Sequence, residues 1–203
     1  MKAAIVFIAL WLAAAFGLSY AGWFERFTAA GLFGVGTLIS SSGCLIIHSF
    51  SEKFRGFLRA RSVRRLTRLQ ILRLYGSLAL LLAGLDILPA LFAVPTGVID
   101  IALALTAFPV ASRLVSAEGK PRPGFVAWHF AGLVGLAISA LTAILTSSPH
   151  SPFVSNGITS QPMTLFPMSL VPVFIGPLVL ILHLQVLLVV FGNRRAPRSV
   201  NGQ

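Results

Sequence analysis

Two carboxylates lie inside apolar stretches of the chain: Asp86 within Leu82-Ala83-Gly84-Leu85-Asp86-Ile87-Leu88, and Asp100 just after Gly97-Val98-Ile99. An acid at the centre of a bilayer costs on the order of 2.5 to 3.5 kcal/mol on insertion scales, so such residues tend to face a bundle interior and mark ion or proton routes. With Pro95-Thr96-Gly97 read as the turn of an antiparallel hairpin, Asp86 lies about six residues deeper than Asp100, about 9 Å at 1.5 Å per residue. Direct contact between the two is then not expected, although water could link them. No Lys or Arg is predicted at their depth, which makes Asp86 the leading candidate binding residue and Asp100 the second, nearer the interface. The structural alternative has Asp86 hydrogen-bonded to a neighbouring helix and Asp100 bonded to backbone groups of its own first turn.

His48, His129 and His183 fall at similar depth toward one end of their apolar segments. Neutral imidazoles on facing helices can relay protons or ligate a metal or haem. No HxxxH, ExxH or C-x-x-C-H pattern accompanies them, so the identity of any metal is open, haem is a minor alternative, and interhelical hydrogen bonding competes with both. Pro172 and Pro177 sit well inside the last apolar segment, where each removes a backbone donor and frees a carbonyl four residues earlier, those of Met168 and Val173. Broken helices can bind cations or substrate through such carbonyls, which adds Pro172 to the candidate binding residues Asp86, Asp100, His129 and His183. Nucleophile, base and orienting group nowhere occur together in a recognisable arrangement, so the balance leans away from an enzyme.

The elements that must position these residues are membrane helices. With 56% hydrophobic and 10% charged residues, the chain cannot cover a soluble globule with polar surface. Apolar blocks at about 3–23, 27–50, 74–94, 97–115, 124–146 and 165–192 each approach the ~20 residues that cross hydrocarbon. The fold class read from this is all-α, a polytopic transmembrane helix bundle of about six spans. On that map 15 of the 16 Lys and Arg residues fall on one side, with only Arg26 on the other, beside Glu25. Cytoplasmic loops carry the Lys/Arg excess, so both termini are expected in the cytoplasm. The same sorting accounts for a net charge of +11 without nucleic acid as a partner. The first block also has a second reading, since Lys2, an apolar run to Leu18 and Ser19-Tyr20-Ala21 fit a cleaved signal peptide. Cys44 is the only cysteine, so no intramolecular disulfide can form.

One bundle is expected over 1–192, with a basic tail over 193–203. The connection at about 51–73 reads as a basic helix lying on the membrane surface, with Arg61, Arg64, Arg65 and Arg68 on one face toward anionic lipid headgroups. A cytoplasmic docking surface is the alternative there. The connection from Thr146 to Phe166 has no Lys, Arg, Asp or Glu and contains the turn signal Asn156-Gly157. It reads as a plain connection or as a lid. Small residues Gly36, Ser40 and Cys44, and again Gly135, Ser139 and Ala143, recur at spacing four and mark helix-packing seams.

The stretch Phe166-Pro167-Met168-Ser169-Leu170-Val171-Pro172-Val173-Phe174-Ile175-Gly176-Pro177, running on to His183, resembles the last helix of small uncharacterised bacterial multi-pass inner-membrane proteins. That resemblance implies a bacterial inner membrane and a helical bundle, and it implies no reaction. Three functions stay open on the sequence: passage of a proton, cation or small solute with Asp86 as the main polar site; an accessory or scaffold subunit joining other membrane protein subunits through its small-residue seams and basic surface helix; and a membrane enzyme or haem or quinone protein using the histidines.

Overall fold

Backbone polar groups in hydrocarbon must be satisfied within the chain, and this sequence does so with helices. The computed structural model describes residues 2–50, 56, 62–116 and 120–194. Within them run six long helices: α1 Lys2–Tyr20, α2 Ala29–Phe50, α3 Val63–Gly84, α4 Ala90–Arg113, α5 Pro123–Leu145 and α6 Val171–Gly192. The only extended pairing among the described residues is an isolated bridge between Val115 and Pro121. Four helices, α3 to α6, are long and apolar enough to cross a membrane. The apolar parts described for α1 and α2, Val6–Tyr20 and Ala29–Gly43, are shorter.

The third and fourth helices are displaced from the hydropathy blocks. Instead of spans over 74–94 and 97–115 joined at Pro95-Thr96-Gly97, α3 ends at Gly84, the turn occupies 85–89, and α4 runs straight through Pro95 and Gly97. Local chemistry explains the turn. Asp86 adopts φ 53, a left-handed conformation that a short polar side chain tolerates better than its apolar neighbours do. Pro89 then caps the start of α4. Pro95 does not stop the helix, because membrane helices absorb the loss of one backbone donor.

At its other end α3 takes in nearly half of the segment read as a surface helix, from Val63 to Arg73. Val63, Thr67, Gln70 and Arg73, spaced by four, three and three, turn inward and are buried, while Arg65, Arg68, Leu69 and Leu72 are exposed. Residues 51–55 and 57–61 of that segment, Arg61 among them, lie outside the described residues, as does the tail beyond Arg194.

Small residues set the distances between helices. α3 and α4 cross where Gly76 faces Gly97; a Cβ on Gly97 would lie 2.7 Å from the Gly76 carbonyl oxygen. α2 meets α6 at Gly36, where a side chain would collide with the carbonyl of Pro172. The seam Gly135, Ser139 and Ala143 is buried inside the bundle; the side chains of Ser40 and Cys44 lie outside the described residues. α6 opens with a π-helical turn, Val171–Ile175, in which the Gly176 N–H reaches back to the Val171 carbonyl. The Met168 carbonyl, expected to be free, accepts the Val171 N–H at 3.0 Å.

α1 packs at the periphery. Trp11 meets Phe174 edge-on at 4.9 Å, Phe16 and Tyr20 meet Phe166, and the hydroxyls of Ser19 and Ser169 lie 2.5 Å apart. The long loop between α5 and α6 turns at Asn156 and Gly157, both left-handed. Ser160 ties it to the end of α5 through the Thr146 and Ala143 carbonyls, and Gln161 caps α2 by accepting the Ala29 N–H at 3.1 Å.

Two apolar clusters close the bundle at its ends. Phe33, Leu88, Phe92 and Met163 form one near the Asp86 turn; Val63, Val115, Phe125 and Val186 form the other, at the end carrying Arg64, Arg113, Lys120 and Arg122. Between them lies a polar layer.

Candidate functional site

Midway along α3, about 15 Å from either end at 1.5 Å per residue, Arg73 is fully buried. Its Nε and Nη2 donate to Asp100 Oδ1 at 2.8 and 2.5 Å, and Nη1 donates to the Gly132 carbonyl at 3.3 Å. Asp100 is 1% exposed. An unpaired charge at this depth is costly, and each member of this pair removes the penalty the other would carry.

Arg73 Nη1 also contacts His183 Nε2 at 3.1 Å, His183 Nδ1 lies 2.8 Å from His129 Nδ1, and His129 Nε2 lies 3.1 Å from Thr67 Oγ1, which bonds the Val63 carbonyl at 2.8 Å. Guanidinium has only donors, and that fixes the direction of every later bond. His183 must accept at Nε2 and carry its proton on Nδ1. His129 must then accept at Nδ1 and carry its proton on Nε2, and Thr67 accepts from it and donates to Val63. These tautomers are assigned from the network. The two imidazoles are therefore neutral and of opposite tautomer, and a single polarised chain runs from Asp100 to the basic end.

The surroundings hold this chain in place. Phe125 and Trp128 pack on His129 at ring separations of 4.8 and 5.0 Å, and Trp128 is itself held by Nε1–H donation to Thr106 at 2.9 Å. Gly132 is required because any Cβ there would run into the His183 ring. Gly135 lets Ile99 approach; a Cβ on it would sit 2.6 Å from Ile99 Cγ2.

Two buried oxygens in the layer have no hydrogen-bond partner in the protein, Thr96 Oγ1 and Gln70 Oε1. The Tyr75 hydroxyl hydrogen-bonds the Asp100 carboxylate. A cavity of about 40 Å³, lined by Thr37, Tyr75, Thr96, Ser139 and Pro172, adjoins this group on the side of the Asp86 turn, and a second of about 20 Å³ lies between Tyr75, Leu82 and Met163.

The structure thus joins Asp100, His129 and His183 in one network and puts Pro172 on the wall of the cavity beside it. Asp86 is not part of it. The exposed Asp86 sits in the turn at the end of α3, so the depths expected of the two acids are reversed. Asp100 also has the cationic partner that the sequence pattern denied it. The side chain of His48 lies outside the described residues. A metal bound by both Nδ1 atoms would hold them about 3.3 Å apart, from two bonds of about 2 Å at a tetrahedral angle. They touch at 2.8 Å, neither cavity is lined by either imidazole, and no group of three or more His, Cys, Asp or Glu among the described residues is placed to hold a metal.

Sequence reasoning missed Arg73, Thr67, Gln70, Tyr75 and Thr96. One signal was available: Thr67, Gln70 and Arg73 at successive intervals of three form a polar stripe inside a helical run whose other positions include Leu66, Leu69, Leu72 and Leu74.

A family model described as "Domain of unknown function (DUF8737)" matches residues 27–191. The chain belongs to that family. The matched region contains α3 to α5, α2 and nearly all of α6, so the whole polar network lies inside the family's domain and α1 lies outside it. No curated protein and no solved structure matches the chain.

Proposed function

We propose that this protein lets protons pass through the centre of α3 to α6, under the control of the Arg73–Asp100 pair. The observation that carries this reading is the polarised hydrogen-bonded chain Asp100–Arg73–His183–His129–Thr67, buried midway through helices long enough to span a membrane. Magnitudes favour the proton over the other cargoes. Cavities of about 40 and 20 Å³ are the size of water, far below the roughly 300 Å³ at which small-molecule pockets begin. Asp100 is already neutralised by the Arg73 guanidinium, which leaves a metal cation no uncompensated charge to bind.

While Arg73 is paired it fills the lone pair of His183 Nε2 and keeps the relay shut. A proton arriving on Asp100 Oδ2 cancels the carboxylate charge that holds the guanidinium. Arg73 then moves off, and Asp100 passes the proton to His183 Nε2. His183 releases its Nδ1 proton to His129 Nδ1, and His129 releases its Nε2 proton toward Thr67 and the basic end. Passage of the proton leaves His183 protonated at Nε2 and His129 at Nδ1, the reverse of the starting tautomers, so each ring exchanges its proton with water before Arg73 re-pairs with Asp100. The scaffold reading has less support, because Gly36 and the seam Gly135-Ser139-Ala143 pack within the bundle.

In this reading the membrane is a bacterial inner membrane, and the basic end, with both termini, faces the cytoplasm. Exposed Arg65, Arg68, Arg113, Lys120 and Arg122 lie at or near that end, where anionic headgroups contribute about 1 kcal/mol each. The test is purified protein in liposomes carrying an internal pH-sensitive dye and a potassium diffusion potential. Parent protein should acidify the lumen faster than protein-free vesicles, and Asp100→Asn, assayed where it remains folded, should lose at least tenfold of that rate. Parent vesicles indistinguishable from empty ones, or an Asp100→Asn rate equal to the parent's, would sink the proposal.

A further inference from the structure

Thr96 behaves unlike the other helical threonines around it. Thr67, Thr106, Thr142 and Thr146 each donate to the carbonyl one turn back, at 2.8, 2.6, 2.8 and 2.7 Å. Thr96 makes no such bond, although it is only 5% exposed and lies on the wall of the larger cavity. One turn further along the same face of α4 is Asp100, which Tyr75 hydrogen-bonds. Tyr75 connects the two places, since it lines the cavity and lies beside Asp100. From α5, Ser139 donates to the Gly135 carbonyl at 3.0 Å, which leaves its oxygen lone pairs able to accept. Phe33 and Phe92, packed edge-on at 5.6 Å, cover the cavity toward the Asp86 end.

We propose that this cavity is a water site, in which ordered water joins Thr96 Oγ1 to the Tyr75 hydroxyl, which in turn bonds the Asp100 carboxylate. A single water needs about 10 to 15 Å³ and two to four polar partners, and a cavity of about 40 Å³ whose mostly apolar wall includes Tyr75, Thr96 and Ser139 meets both conditions. Water here gives Thr96 Oγ1 its missing bond. It also supplies Asp100 with a proton through the Tyr75 hydroxyl, and only this functional consequence rests on the proton-passage reading above. A metal cation is a poorer occupant, because Asp100 already shares its charge with the Arg73 guanidinium.

The occupant is tested without measuring flux. In parent protein in lipid bilayers, water-edited solid-state NMR should show polarisation transfer from water to Thr96 Cβ and the Tyr75 ring within the time seen for solvent-facing residues. Thr96→Val, nearly the same shape without the hydroxyl, should weaken that transfer to Tyr75 by at least half and lower the melting temperature. Replacing a partnerless hydroxyl by a methyl is neutral or stabilising, whereas removing a partner of bound water is destabilising. An unchanged or raised melting temperature for Thr96→Val together with no water transfer to Tyr75 in the parent would overturn the water site. A melting temperature that rises with sodium in the parent and not in Thr96→Val would replace water by a cation. Failure of the liposome assay alone, with these signals present, would remove proton passage and leave the water site standing.

Discussion

Removing the carboxylate of Asp100 should expose how much the buried pair contributes. Asp100 Oδ1 takes two of the guanidinium N–H groups of Arg73, at 2.8 and 2.5 Å. Without it, the cation keeps only the Gly132 carbonyl at 3.3 Å and one imidazole nitrogen at 3.1 Å. Breaking a buried pair by deleting one partner costs about 3 to 5 kcal/mol. Insertion scales put an unpaired Arg at mid-span at roughly 2.5 to 3.5 kcal/mol, which brackets the same figure from below. Asp100→Ala should therefore lose about 3 to 4 kcal/mol of bundle stability, on the order of 200-fold or more in the unfolding equilibrium. Asp100→Asn retains an acceptor at Oδ1 and should lose about half as much. The double variant Arg73→Met, Asp100→Leu removes both charges and should return to within about 1 kcal/mol of the parent. Reversible unfolding in mixed micelles, titrated with dodecyl sulfate and followed by circular dichroism, reads all four proteins. An Asp100→Ala protein within 1 kcal/mol of the parent, or a double variant no better than the single, would refute the reasoning.

Asp86 should respond quite differently. Asp86→Asn should fall within about 0.5 kcal/mol of the parent in the same titration, and Asp86→Lys should lose only about 1 kcal/mol, from the left-handed backbone and not from a buried charge. In a Cys44→Ser background, cysteines at positions 86 and 156 should label from one side of the membrane and a cysteine at 120 from the other; label reaching position 86 from the side of 120 would contradict the turn at 85–89. Gly132→Ala should cost about 1 to 3 kcal/mol by driving a methyl into the His183 ring, and the same titration against Gly34→Ala, a helical glycine whose Cβ meets nothing within 4 Å, separates this clash from the general effect of replacing a glycine.

Much of the architecture is legible in the sequence where apolar runs are bounded by turn residues. The block at 124–146 corresponds to α5, Pro123–Leu145, and the Asn156-Gly157 turn and the Gly135 seam lie where their chemistry predicts. α3 and α4 were not legible, for a physical reason. A hydropathy window scores Arg73 as a loop residue because its charge is cancelled only by Asp100, 27 positions away and on another helix. Counting Arg73 out of the membrane moved the start of the span to 74, and treating Pro95 as a breaker moved its end, which carried Asp86 inward and Asp100 outward. The site suffered from the same slip. His129 and His183 stood out by depth, but the group that orients them had been assigned to the surface.

The polarised chain itself is tested most directly by 15N solid-state NMR of histidine-labelled protein in bilayers, in a His48→Gln, His150→Gln background that leaves only His129 and His183. The account predicts two neutral imidazoles of opposite tautomer, the proton on Nδ1 of His183 and on Nε2 of His129, with a scalar coupling across the hydrogen bond between their Nδ1 nitrogens. Two rings of the same tautomer, or a cationic ring with Asp100 still paired to Arg73, would contradict it.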